Sequence, residues 1–207
     1  MSLQVNSRRR YGPFFSWLFE QLDRNANPEN GYFGCHGLSS SDVRSQIGEA
    51  EAEGYLYSCM GGSFAVHTLM RFVRHPWPHN QTVQTVTLSL QNKTGRDAGH
   101  WASTGGYDDV DGIFQASRPL MTVDGVPLVP KDSGKGKWPI VGAACRDFLR
   151  SATLELNDAK WVMEKFGSNT HGLMAMVGAV GECQLHFPEL VETVRPWRSV
   201  MDKAAFI

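Results

Sequence analysis

Asp108, Asp109 and Asp111 form a D-D-x-D run at the head of an apolar segment, a spacing that acid–base chemistry can use. On a helix, Asp108, Asp111, Gly112 and Gln115 share one face at i, i+3, i+4 and i+7, while Val110, Ile113, Phe114 and Ser117 occupy the other. Carboxylates held close together push their pKa values apart, so that one keeps a proton the other lacks. The same oxygens suit a divalent cation. Acidic residues in a first helical turn also have a structural use, capping free N–H groups and opposing the helix dipole, and Arg118 at the far end fits that logic. Asp108 and Asp111 are the candidate acid–base residues, Asp109 and Gln115 candidate ligand contacts, and no metal site is expected.

A second polar face precedes this one. Ser63, His67, Arg71 and Arg74 line up at helical spacing among Phe64, Ala65, Leu69, Phe72 and Val73. If the two faces oppose each other, His67 would exchange protons near the aspartates, and Arg71 would hold a polar or anionic ligand. A surface helix with solvated basic residues has the same pattern.

Aromatic and imidazole groups gather in two Gly-rich loops. Leu22 leads to Gly31-Tyr32-Phe33, and 68 residues further on Leu90 leads to Gly99-His100-Trp101. Tyr32, His36, His100, Trp101 and Tyr107 are expected to ring the mouth of a shared cleft and contact its ligand. Trp101 equally suits a core plug beneath its loop.

The elements that must position these groups are helices, since apolar residues recur at helical spacing and alternating runs of β-branched residues are scarce. Phe14, Trp17, Leu18 and Leu22 form a stripe behind Pro13, which suits a first helical turn. Further helices are predicted over 62–74, 80–91, 108–118, 138–156, 170–184 and 188–203. Residues 41–53 read as a short exposed helix or decorated loop, and 119–137 as a long connection with room for a small hairpin. Residues 1–11 are expected to be a disordered or vector-derived leader, and 12–207 a single domain. The order helix, Gly-aromatic loop, helix occurs twice, with a looser third copy over 138–184. Such an order builds antiparallel helical hairpins.

Leu90-Gln91, Gly99-His100-Trp101 and Tyr107-Asp108-Asp109-Val110-Asp111, with the earlier Pro28-Glu29-Asn30-Gly31-Tyr32-Phe33-Gly34 before Gly61-Gly62-Ser63-Phe64, resemble the α/α-toroid superfamily. Terpenoid cyclases, protein prenyltransferases and several glycan-active enzymes share that barrel. The resemblance covers residues 12–185 and implies an all-α fold, either an α/α toroid or an open toroid-like array of helical hairpins. Inner-helix N-termini, with Asp108 at one of them, would then gather at the mouth of a central cavity. The chain supplies fewer hairpins than a full ring, which implies either an open fragment or a homodimer that covers the exposed side. D-D-x-D matches neither the D-x-D-D signature of triterpene cyclases nor the D-D-x-x-D magnesium signature of other terpene synthases.

Composition narrows the function classes. With 20 basic and 21 acidic side chains the net charge is -1, which gives no electrostatic case for nucleic acid or a membrane surface. Arg8-Arg9-Arg10 reads as a solvated tail. No apolar run approaches the ~20 residues needed to span a bilayer, and the cytoplasm is the default location. Cys35, Cys59, Cys145 and Cys183 form no C-x-x-C pair and read as free thiols, the last two in the core. No phosphate-binding or dinucleotide-binding motif is present, and no cofactor is expected. The expected function is binding of a small polar ligand or glycan fragment in a central acidic pocket, with acid–base catalysis by Asp108, Asp111 and His67. A terpenoid cyclase or prenyltransferase activity and a non-catalytic scaffold are the alternatives.

Overall fold

In a computed structural model, residues 2–34, 45–102, 106–122, 127–128 and 136–191 are described. Within them the chain is all-α: α1 (Ser2–Asn25), α2 (Glu49–Phe72), α3 (Asn80–Ser89), α4 (Asp108–Ser117), α5 (Trp138–Leu156), α6 (Ala159–Phe166) and α7 (Thr170–His186), with 3-10 turns at Arg118–Leu120 and Pro188–Leu190. Extended pairing among these residues is limited to two isolated bridges, Gln91 with Trp101 and Met121 with Pro127.

A helix of 10 residues, α4, holds the centre. Every residue of α4 from Asp109 to Ser117 is buried, and α4 packs mainly against α7, α3 and α2, with α5 completing the surround. Val110 and Ile113 join Met60, Val83, Phe148, Met176 and Val180 in the main core. A smaller core of Phe19, Ala26, Phe33 and Met70 seats the C-terminal half of α1 against α2. Asp23 pairs with His75 at 3.0 Å beside it, and the His75 ring stacks on Phe19.

Four elements differ from the sequence reading. α2 begins at Glu49 rather than near Gly62, because Ala52, Leu56, Cys59 and Met60 carry a buried stripe straight through Gly54, Gly61 and Gly62. Pro13 lies inside α1. Residues 159–166 were not expected to be helical, yet Asp158 opens α6 by accepting the N–H groups of Lys160 and Trp161. The segment 188–203 starts as a 3-10 turn at Pro188–Leu190, and 192–207 lie outside the described residues. Cys59, Cys145 and Cys183 are buried free thiols; Cys35 lies outside the described residues.

Both Gly-aromatic steps are tightly built. Gly31 (φ 76°) lets the first loop pass α3, where a Cβ would stand 2.4 Å from Val83 Cγ2. Gly99 (φ 91°) does the same against α5, where a Cβ would stand 2.5 Å from the Asp147 carbonyl oxygen. The loops converge on one residue of α3. Tyr32 shares a hydrogen bond of 2.8 Å with Thr87 Oγ1, and Trp101 Nε1 donates to the Thr87 carbonyl at 2.7 Å.

Candidate functional site

The acidic run sits where α4 meets α2. Tyr107 is the N-cap and makes no side-chain cap bond, so Asp108, Asp109 and Asp111 all fall in the first turn. The three part company from there. Asp108 is half-buried, and its pKa is raised by burial. Asp109 is fully enclosed and serves the second Gly-aromatic loop: its Oδ1 accepts the Trp101 N–H at 2.9 Å, and its Oδ2 accepts His100 Nδ1 at 2.8 Å. Burial lifts the Asp109 pKa to about 6 against the opposing pull of His100.

Asp111 is buried without that support. No hydrogen bond reaches its carboxyl group among the described residues, and its pKa stands well above the ordinary value, first through burial and then through the charges of Asp108 and Asp109. It faces Gly61 of α2, where an added Cβ would lie 3.3 Å from Asp111 Oδ2. Gly61 ends a stripe on α2 with Glu53 and Tyr57 at i−8 and i−4. Tyr57 donates to the Leu90 carbonyl at 2.6 Å, and its pKa is raised by burial, then by Glu53, with Asp108 adding to the same direction. Sequence reasoning missed this stripe, although its i, i+4, i+8 spacing was visible.

His67 reaches α4 through Gln115. Its Nδ1 donates to Gln115 Oε1 at 2.8 Å, while Gln115 Nε2 donates to the Met60 carbonyl at 2.9 Å and the Asp111 carbonyl at 3.3 Å. The imidazole stacks on Trp77 with centroids 4.2 Å apart and meets the edge of Phe33. Burial holds its pKa down at about 4 despite the Gln115 contact, so the ring is neutral at physiological pH. Arg71 donates to the Thr122 carbonyl at 3.3 Å, in the segment that follows the far end of α4 from the aspartates.

The aromatic groups do not form the expected rim. Tyr32, His100 and Trp101 are completely buried, because their loops close inward on Thr87 and Asp109. Trp101 lies flat on α4 at Gly112, where a Cβ would stand 2.4 Å from the indole, so it is the core plug. Tyr107 alone of these is exposed; it donates to Asn169 Oδ1 at 3.3 Å and meets His171 edge-on. His36 lies outside the described residues. His100 also approaches Glu155 Oε2 at 3.4 Å. Burial alone would lower its pKa, but the hydrogen bonds and charges of Asp109 and Glu155 raise it to about 9.

A second buried charge cluster was not foreseen. Arg118 grips Glu182 of α7 with contacts of 2.7 to 3.0 Å, and His186 Nε2 stands 3.6 Å from the same carboxylate. Arg118 therefore serves a tertiary ion pair as well as the end of α4. No group of three or more His, Cys, Asp or Glu side chains is arranged for a metal among the described residues, and none of their helices is long and apolar enough to cross a membrane. A cleft of about 360 Å³ opens elsewhere, on α5, lined by Arg146, Leu149, Arg150, Thr153, Leu154 and Leu190; it shares no residue with the acidic cluster. The chain matches no protein-family model, no curated protein and no solved structure.

Proposed function

We propose that the seam between α2 and α4 binds a small polar molecule, a glycan fragment being the class whose hydroxyl groups fit it best, with Asp111 as proton donor and Asp108 as its ionisable partner. The observation that carries this reading is the buried Asp111 carboxyl group with no hydrogen bond among the described residues, facing a glycine. A buried acid that no protein hydrogen bond reaches costs stability, and a binding site is where such a cost has a use. Asp111 is held protonated more strongly than the half-open Asp108, the separation that assigns acid and base roles to neighbouring carboxyl groups.

His67 acts here as a positioning residue. It fixes Gln115, and Gln115 ties the Met60 carbonyl of α2 to the Asp111 carbonyl of α4. Tyr57 and Glu53 supply further polar contacts on the α2 side. The burial of α4 supports the inner-helix role that the toroid resemblance implies for it.

The test is Asp111→Asn, examined by thermal shift and by NMR against a panel of oligosaccharides and small polyols. The variant is expected to fold with an equal or higher Tm and to lose the ligand response of the parent. A full ligand response in the variant would overturn the reading. So would a carboxyl carbon of Asp111 titrating at the ordinary value of 3.8.

A further inference from the structure

The cleft on α5 is walled by two parts of the chain that meet through the core. Arg146, Leu149, Arg150, Thr153 and Leu154 stand at i, i+3, i+4, i+7 and i+8 of α5, one stripe along the helix, and Leu190 forms the opposite side. Leu190 belongs to the 3-10 turn after α7, and its N–H donates to the Phe187 carbonyl at 2.9 Å. Phe187 is buried and fills the notch that Gly142 leaves on α5, where an added Cβ would stand 3.0 Å from the ring. It also meets Trp138 edge-on. The turn is thus fastened to the helix it faces, and the cleft stands open before anything enters it.

Its lining divides into two chemistries. Leu149 is buried at the base, Leu190 is half-buried, and Leu154 is 73% exposed. Beside these leucines Arg146 and Arg150 stand one helical turn apart, both exposed, and Thr153 adds a hydroxyl group on the same stripe. No acidic side chain lines the cleft among the described residues. Asp147 lies 3.9 Å from Arg150 with both groups open to solvent, and such a pair is worth little. Like charges at i, i+4 repel. An anion set between the two guanidinium groups removes that repulsion, and their planar donors suit carboxylate or phosphate oxygens. The leucines favour hydrocarbon in the same space. A volume of about 360 Å³ falls at the lower end of small-molecule pockets, roughly 300–1,000 Å³.

We propose that this cleft binds a small amphipathic organic anion, its carboxylate or phosphate on Arg146 and Arg150 and its hydrocarbon body against Leu149, Leu154 and Leu190. The site shares no residue with the acidic seam, so ligand binding at either place is independent of the other.

The experiment is NMR titration of the full chain, read at the Leu and Thr methyl groups, with octanoate, octyl phosphate, octanol and inorganic phosphate as separate probes. Octanoate and octyl phosphate are expected to shift the Leu149, Leu154, Leu190 and Thr153 methyl signals saturably. A response to one of them and not the other also supports the site and assigns its head group. Octanol and inorganic phosphate each lack half of the recognised chemistry and should bind at least about tenfold more weakly. Arg146→Gln with Arg150→Gln should weaken octanoate binding about tenfold and leave Tm unchanged, because both side chains are exposed. Leu154→Ser should weaken it about fivefold. Absence of any response in the parent would overturn the proposal, as would octanol binding as well as octanoate, or equal binding by the parent and the double arginine variant. Contacts of the Leu154 or Leu190 methyl groups with residues beyond 191 in the ligand-free protein would also overturn it and assign the cleft to the chain itself.

Discussion

His100 Nδ1 lies 2.8 Å from Asp109 Oδ2, and neither side chain is reached by solvent. The pair ties the second Gly-aromatic loop to the first turn of α4 and gives folding a pH dependence. The His100 pKa is raised to about 9 from 6.5, so above 6.5 the unfolded chain sheds a proton that the native chain keeps. Stability from this group is complete below 6.5 and is lost as pH rises through about 9. Tm is expected to fall across that window, and His100→Gln should flatten the slope; a parent Tm that does not change there would contradict the ionised pair.

Asp111 contributes at lower pH. Its native pKa stands well above the ordinary 3.8, so the native chain holds a proton that the unfolded chain releases once pH passes 3.8. Stability from this group is greatest below 3.8 and declines as pH climbs toward the raised native value. Asp111→Asn removes the decline. Denaturant midpoints of parent and variant are expected to diverge with rising pH, the variant becoming relatively more stable.

Glycine positions separate two effects of adding one methyl group. Gly112→Ala places a carbon within 2.4 Å of the Trp101 ring, and overpacking of this kind should cost about 1–3 kcal/mol. Gly54 sits within the long helix α2, exposed, with no atom within 4 Å of an added Cβ. Gly54→Ala should stabilise by about 0.5–1 kcal/mol through helix propensity alone. Urea unfolding of the two variants should therefore shift the midpoint in opposite directions.

The Arg118–Glu182 pair is enclosed on both sides. Burial would raise the Glu182 pKa, but Arg118 and His186 outweigh it and hold it at about 2. Glu182→Gln leaves a buried guanidinium group without its counter-charge, and a loss of about 3–5 kcal/mol is expected. Replacing both residues, as Arg118→Met with Glu182→Leu, should recover much of the loss. A double-mutant cycle by chemical denaturation measures the coupling.

How much of this could be read from the chain depends on the distance over which each feature is specified. The helix over Trp138–Leu156 and the one beginning at Asp108 follow from apolar periodicity, which is local, and both stand where that pattern puts them. The start of α2 was obscured because three glycines normally mark a break, whereas here Gly61 gives room for Asp111 across the helix pair. α6 is short and opens on an Asp158 cap that periodicity does not weigh. The acidic cluster was legible as a group but not as three separate roles, since Asp109 is claimed by His100 and the Trp101 N–H from the preceding loop. Arg118 and Glu182 stand 64 residues apart, and no local pattern announces their pairing.

Thr87 receives Tyr32 on its hydroxyl and Trp101 on its carbonyl, so the two loops, 68 residues apart in the chain, are latched by a single side chain and its own backbone. Neither latch holds unless α3 is in place, and α3 lies in the chain between the two loops. Hydrogen exchange should therefore report one opening event for Tyr32 and Trp101, with matched protection at both. The N-terminal and central parts of the chain then form one cooperative folding unit with α3 as its keystone.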